Sequence, residues 1–250
     1  MVPLLAPMVA EAAEAAHGFN GQTVAIFLHV VLFAYWLGGD VGVFYASRYI
    51  IKSEVGPEAR GVATKIMHAT DIAPRVSLVL ILPSGVTLMA WGPLGDDFFV
   101  HGWLLALTWV AGLAWLAVSL IDYRGGDTPL ARLSQKADLT VRYGLSVGLV
   151  AVGVYTMVVA EPFGVDTNPK WLGAKVVAYA LCIFSGVMIR RQLKPFGPAF
   201  GKLVTSGSTP EVEKAILGSI KRCEPWVYAI WTLVLVAALL GVMKPGSTAF

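Results

Sequence analysis

Charge is scarce in this sequence, and so is cysteine. Only 14% of its 250 residues are Asp, Glu, Lys or Arg, where a water-soluble domain carries about 25%. That shortfall, with 56% hydrophobic residues and a mean hydropathy of +0.69, excludes an ordinary soluble fold. The two cysteines, Cys182 and Cys223, have no CxxC or paired spacing. Neither a disulfide framework nor a thiolate metal site is therefore expected, and both read as small core residues. Also missing are GxGxxG, a Walker loop, HExxH, CxxCH and a nucleophile elbow, so no common soluble-enzyme chemistry is signalled. The opening MVPLLAPMVAEAAEAAHG has no basic n-region and ends in acidic residues. It reads as a short interfacial helix rather than a cleaved signal peptide.

What the chain has is apolar length. Six runs, at about 22–50, 72–91, 103–121, 143–160, 171–189 and 226–243, each approach the roughly 20 residues that cross a bilayer. The expected fold is an all-α polytopic membrane helix bundle in one domain, residues 1–250. The loops after the first, third and fifth runs hold 16 of the 19 Lys and Arg residues, leaving only Lys170, Lys175 and Lys244 on the other side. By the positive-inside rule both termini face outward. The expected setting is the bacterial cytoplasmic (inner) membrane with periplasmic or extracytoplasmic termini. This one-sided charge suits a lipid bilayer, and no nucleic-acid partner is expected. Loop segments 53–70, 125–140 and 206–223 read as short amphipathic or interfacial helices.

The first run carries two ionisable residues inside its apolar stretch. At about 100° per residue His29, Trp36, Asp40 and Ser47 share nearly one face, with His29 and Asp40 roughly 16 Å apart along the axis. Charged groups in a spanning helix cost about 2.5–3.5 kcal/mol on insertion scales, so that face is expected to look into the bundle and mark a site. Gly38, Gly39 and Gly42 beside it allow a close approach by a neighbouring backbone or a flat cofactor. Asp40 is a candidate buried proton carrier, and Trp36 a candidate cofactor wall.

From the second run onward the chain repeats weakly at an offset of 67 to 69 residues. Arg75 answers Arg142, Gly85 and Val86 answer Gly153 and Val154, and Trp103 answers Trp171. Runs two and three, and four and five, thus read as equivalent hairpins, with the first and sixth outside the repeat. Lys175 corresponds to Leu107, so the scaffold itself does not need a lysine there. Either it snorkels to the outer interface or it meets His29 at a similar depth.

Other candidates are less distinctive. His101 opens the third run on the outer side and is a possible partner for His29. His68, Asp71 and Arg75 share a face at the inner start of the second run, as a salt-bridge ladder or an inner proton or anion relay. Met89 and Met157 sit at equivalent repeat positions. Trp91, Trp103, Trp171 and Trp226 have the spacing of interfacial belt residues.

Two stretches resemble a known family. The run from Leu28 and His29 through Trp36 and Gly39 to Tyr45 and Arg48 is similar to the first helix of HemJ-type protoporphyrinogen oxidases, membrane proteins with a haem-associated histidine. Trp171 to Lys175 resembles the tryptophan and lysine that open a later helix in that family. Continued to Arg190, Arg191, Gln192, Leu193, Lys194 and Pro195, the same segment also resembles the end of a CopD-type copper-resistance membrane domain. The resemblance implies haem b at an outer-half site, with redox chemistry on a quinone or porphyrin. Iron takes axial histidine, so His29 is the expected ligand and His101 its candidate second, while Lys170 and Lys175 would neutralise propionates. Asp40 and Lys175 are the candidate catalytic residues. The alternatives are copper or another cation crossing along His29, Trp36 and Asp40 with methionine ligands, and an anchor subunit for other membrane proteins.

Overall fold

The computed structural model describes residues 20–91, 102–164 and 170–246. Eight α-helices cover most of them: α1 (Gly21–Ile50), α2 (Pro57–Thr70), α3 (Ile72–Ala90), α4 (Trp103–Arg124), α5 (Pro129–Val158), α6 (Lys170–Leu193), α7 (Phe196–Ser206) and α8 (Pro210–Met243). Among the described residues there is no β-strand. Six helical stretches are long and apolar enough to span a membrane. Each overlaps one of the six runs read from sequence, and the chain is an integral membrane protein by that measure.

The local signals account for several helix ends. Asn20, Thr128 and Thr209 cap α1, α5 and α8, each side chain accepting a hydrogen bond from the backbone N–H three residues on, which satisfies a donor the helix itself leaves free. Proline opens α2, α5 and α8, where its missing N–H costs nothing. Segments 125–140 and 206–223 do not form separate interfacial helices: residues 129–140 and 210–223 are the first turns of α5 and α8, each continuing as one helix, α8 through Pro225. At 1.5 Å per residue the 34 residues of α8 extend about 51 Å, well beyond a hydrocarbon core of about 30 Å. The excess lies at the end of the bundle that carries most of the Lys and Arg, called here the basic end.

The spanning helices close a ring in chain order. α1 packs on α3, α3 on α4, α4 on α5, α5 on α6 and α6 on α8, which returns to α1. The centre is filled by Trp36, Leu78, Val79, Trp115, Cys182, Ile183, Ile230 and Val234, with Leu145 and Leu149 of α5 against them. Outward faces are apolar, with Phe27, Val110, Val147 and Val242 among the exposed residues. That is the pattern of a surface solvated by lipid rather than water. The α1–α8 seam is aromatic, Phe44 lying 5.3 Å from Trp231 and 5.7 Å from Tyr228 between ring centroids. At its basic end Arg48 pairs with Glu224 at 2.8 Å.

At that end α2, α7 and the start of α8 build a second apolar cluster of Ile50, Ala63, Ala199, Leu203, Val212 and Ile216. Buried Arg60 ties it together. Its Nε donates to the Ile50 carbonyl and its two terminal nitrogens donate to the two oxygens of Glu213 at 2.8 and 2.9 Å, a bidentate geometry suited to a guanidinium.

Glycine sets the approach of α3 to α1. A Cβ on Gly39 would lie 2.5 Å from Pro74 Cδ, and one on Gly42 2.8 Å from Thr70 Cγ2, whereas Gly38 has nothing within 4 Å. Gly39→Ala should therefore lower stability by about 1–3 kcal/mol through overpacking. Gly38→Ala should leave it unchanged or raise it by up to about 1 kcal/mol through helix propensity. Thermal midpoints of the two variants in detergent compare the positions directly.

Candidate functional site

His29 faces α3 across the end of the bundle opposite the basic end. Pro83 interrupts the hydrogen-bond ladder of α3 because it lacks an N–H, and the next residue, Ser84, is buried against α1. The Ser84 hydroxyl donates to the Ile81 carbonyl at 3.1 Å, and its Oγ lies 2.8 Å from His29 Nδ1. The arrangement that makes both hydrogen bonds at once has Ser84 donating to Ile81 and accepting from the imidazole. In that arrangement the proton is on Nδ1 and the lone pair on Nε2. Gly85 completes the cradle, for a Cβ there would stand 3.4 Å from His29 Cε1.

Lys175 of α6 is the charge that bears on His29. Its stem lies against α8, where a Cβ on Gly241 would come within 2.7 Å of its Nζ. Among the described residues it makes no hydrogen bond or ion pair. A histidine held by one nitrogen and a lysine with no anionic partner among the described residues thus share this half of the bundle. Lys170, the first residue of α6, is exposed. His101 lies outside the described residues.

Trp36 and Asp40 sit deeper. Trp36 is part of the central core, edge-on to Tyr179 at 6.3 Å between centroids, and Asp40 follows one turn on along the same helix. Tyr179 in turn donates to the Leu78 carbonyl at 2.7 Å. Trp36 therefore belongs to the floor beneath His29, not to its immediate cradle. The second oxygen of Asp40, Oδ2, is buried without a hydrogen-bond partner.

The methionines both reach the start of α6. Met89 and Trp171 both pack on Leu172, and Met157 Cγ would stand 2.8 Å from a Cβ on Gly173. Met89 is also one helical turn from Gly85, on the side of α3 that meets His29.

Toward the basic end lies a larger polar assembly. Fully buried Asp138 accepts from Trp115 Nε1 at 2.8 Å and from Arg142 Nε at 2.7 Å, with Arg190 at 2.9 Å. Arg190 also pairs with Asp122 at 3.0 Å, Asp122 with Arg75 at 3.2 Å, and Arg75 with Asp71 at 2.9 Å. Three arginines and three aspartates thus link α3, α4, α5 and α6. Asp71–Arg75 and Asp138–Arg142 are the same i,i+4 pair repeated 67 residues apart. Their partners on the second helix of each hairpin, Asp122 and Arg190, stand at an offset of 68 with opposite charge, and they pair with each other. His68 is not a rung of that ladder. Its ring stacks on Tyr123 at 4.4 Å and 7°, and Tyr123 donates to the His68 carbonyl.

Sequence reasoning missed Ser84, Tyr179 and the Asp138 cluster. Asp138 was within reach, since extending the repeat by one turn before Arg142 finds it opposite Asp71. Ser84 and Tyr179 have no periodic signal, because their roles depend on which helices become neighbours. No family model, curated protein or solved structure matches the chain.

Proposed function

We propose that this chain is a membrane haem b protein serving electron transfer or oxidase chemistry, with a quinone or porphyrin as its redox partner, at a site in the outer half of the bundle. The observation that carries the reading is the His29–Ser84 hydrogen bond. Histidines that ligate a metal nearly always donate their other ring N–H to a fixed acceptor, which orients the ring and strengthens the ligand. In the tautomer that donates from Nδ1 to Ser84, His29 matches this arrangement, which would leave Nε2 to bind.

The residues present fit the group. His29 would supply an axial ligand, His101 is the proposed second, and Lys175 would neutralise a propionate in a medium where an unpaired charge is costly. Lys170, exposed at the same end, is proposed to assist at the mouth. Bound haem supplies one-electron redox chemistry. Lys175 would keep an anionic substituent at this depth, and Ser84 would hold the imidazole through Nδ1. The Trp36–Tyr179 contact closes the site from below. On this reading the basic end faces the cytoplasm and both termini lie outside the inner membrane of a bacterium.

A second reading, copper or another cation carried in CopD fashion, is favoured by one observation: Met89 and Met157 both reach the first turn of α6, Met89 one turn from the residues that hold His29. Thioether and imidazole together suit copper(I).

The visible spectrum and metal content of the purified protein separate these readings. Haem gives a Soret band with reducible α and β peaks and stoichiometric iron. A colourless protein holding stoichiometric copper supports transport. A colourless, metal-free protein that co-purifies with other membrane subunits supports an anchor role and overturns both.

A further inference from the structure

The seam between α1 and α8 closes at one end only. At about 3.6 residues per turn, 18 residues make five whole turns, about 27 Å, so Val30 repeats the face of Arg48 on α1 and Val242 repeats the face of Glu224 on α8. Arg48 and Glu224 meet at 2.8 Å, and the next contact inward is Phe44 against Trp231 and Tyr228. Five turns away the same two faces are bare: Val30 is 56% exposed and Val242 82%. Among the described residues α1 is held there by α3, through His29 and Ser84, and α8 by α6, where the end of the Lys175 side chain lies against Gly241. The two helices therefore part toward the end opposite the basic end, and a wedge between them opens to the bilayer.

The walls and the mouth of the wedge differ in chemistry. Its walls are apolar and exposed, Ile26 and Val30 on α1 and Leu235 and Val242 on α8. Its mouth is basic. Lys170 is the first residue of α6, Lys175 follows between one and two turns on, and Lys244 caps α8. These are the three of the 19 Lys and Arg residues placed on this side, and all stand where α6 begins and α8 ends. Among the described residues the one carboxylate at this end is Glu161, past the end of α5. A surplus of cations beside an apolar wedge matches a lipid with an anionic headgroup, since lysine stems can run through the apolar layer while their ammonium groups meet phosphate. We propose that the wedge is a binding site for an anionic phospholipid, with one acyl chain along Val30 and Val242 and the phosphate drawn by Lys170, Lys175 and Lys244. A chain seated there covers the side of His29 that α3 leaves open. Lys175 carries three N–H donors, so a phosphate at the mouth and a carboxylate deeper in the bundle can share it, and the inference does not depend on haem.

Photocrosslinking of the purified protein in phosphatidylcholine nanodiscs tests it, using a trace of phosphatidylglycerol that carries a diazirine on one acyl chain. Peptide mapping by mass spectrometry should place labels around Val30 and Val242, and the same diazirine lipid with a phosphatidylcholine headgroup should label those segments far less. Lys175→Gln should lower the phosphatidylglycerol label there about five-fold, as expected for losing one basic contact to an anionic lipid, and Lys175→Arg should retain it. Val242→Trp, a change at an exposed position, should block the label around Val30 by filling the wedge. Labels at the basic end should be unchanged in these variants. Size-exclusion profiles confirm folding, and the Lys170→Gln, Lys244→Gln double variant serves if Lys175→Gln is not folded. Equal labelling of the wedge by both headgroups would mean ordinary lipid contact and overturn the proposal. So would an absence of label in these segments, or a label unchanged by the lysine substitutions. Displacement of the label by decylubiquinone but not by unlabelled phosphatidylglycerol would make the wedge a quinone site and overturn it as well.

Discussion

Under the proposed haem reading, replacing His29 with alanine should abolish the Soret band of the purified protein while leaving a folded helical bundle. The imidazole is partly exposed within the bundle and makes one hydrogen bond to Ser84. Its removal therefore costs the fold little, a net hydrogen bond contributing about 1 kcal/mol, whereas it takes away the only histidine placed inside a spanning helix among the described residues. Ser84→Ala should differ in kind. Haem should remain, with affinity lowered by roughly 10–100-fold, as is typical when the acceptor behind a ligating imidazole is lost, and with a displaced midpoint potential. His68→Ala, at the basic end, should leave the spectrum unchanged because His68 is stacked on Tyr123. Absorbance titrations with haem on the three variants make the comparison. Equal loss in all three would mean general unfolding rather than ligation.

The second large effect is expected at Asp138. This carboxylate is fully buried and accepts from Trp115, Arg142 and Arg190. Asp138→Asn preserves its shape but turns one acceptor into an amide donor facing two guanidinium groups. Removing one member of a buried ion pair typically costs about 3–5 kcal/mol, because the surviving charge is stranded. The variant should unfold in detergent at a clearly lower temperature. Asp122→Asn, whose side chain is 10% exposed, should be affected less, since water at the basic end reaches it. Combining Asp138→Asn with Arg142→Gln should recover part of the loss, as one stranded charge is then removed as well. If the double variant is no more stable than Asp138→Asn, the coupling between the two side chains is not what holds this region.

Much of the architecture was legible in the sequence because the bilayer imposes it. Once charge is withheld from six apolar runs, each must satisfy its own backbone groups as a helix, and α1, α3, α4 and α6 start and stop within a few residues of the runs that predicted them. Where reading failed, at 125–140 and 206–223, the polar composition marked the membrane boundary but not a helix end: Thr128–Pro129 and Thr209–Pro210 are start signals, and nothing after them stops the helix. His29, Trp36 and Asp40 were found because each is a misfit in its own run. Ser84, Tyr179 and Asp138 were not, because a serine after a proline, a tyrosine in an apolar run and an aspartate near a loop are each ordinary alone. Their significance lies in which helix they face, and that is decided by packing between segments 23 to 101 residues apart in sequence.

Under the proposed function, Nε2 of His29 binds iron while Nδ1 is held by Ser84. Nitrogen hyperfine spectroscopy of the ferric protein, produced with 15N-labelled histidine, reads that bond directly. A coupling from a coordinated imidazole nitrogen that disappears in His29→Ala, together with a remote-nitrogen coupling altered in Ser84→Ala, is the predicted result. The absence of any histidine coupling in the wild type, or a coupling that persists unchanged when His29 is replaced, would contradict it.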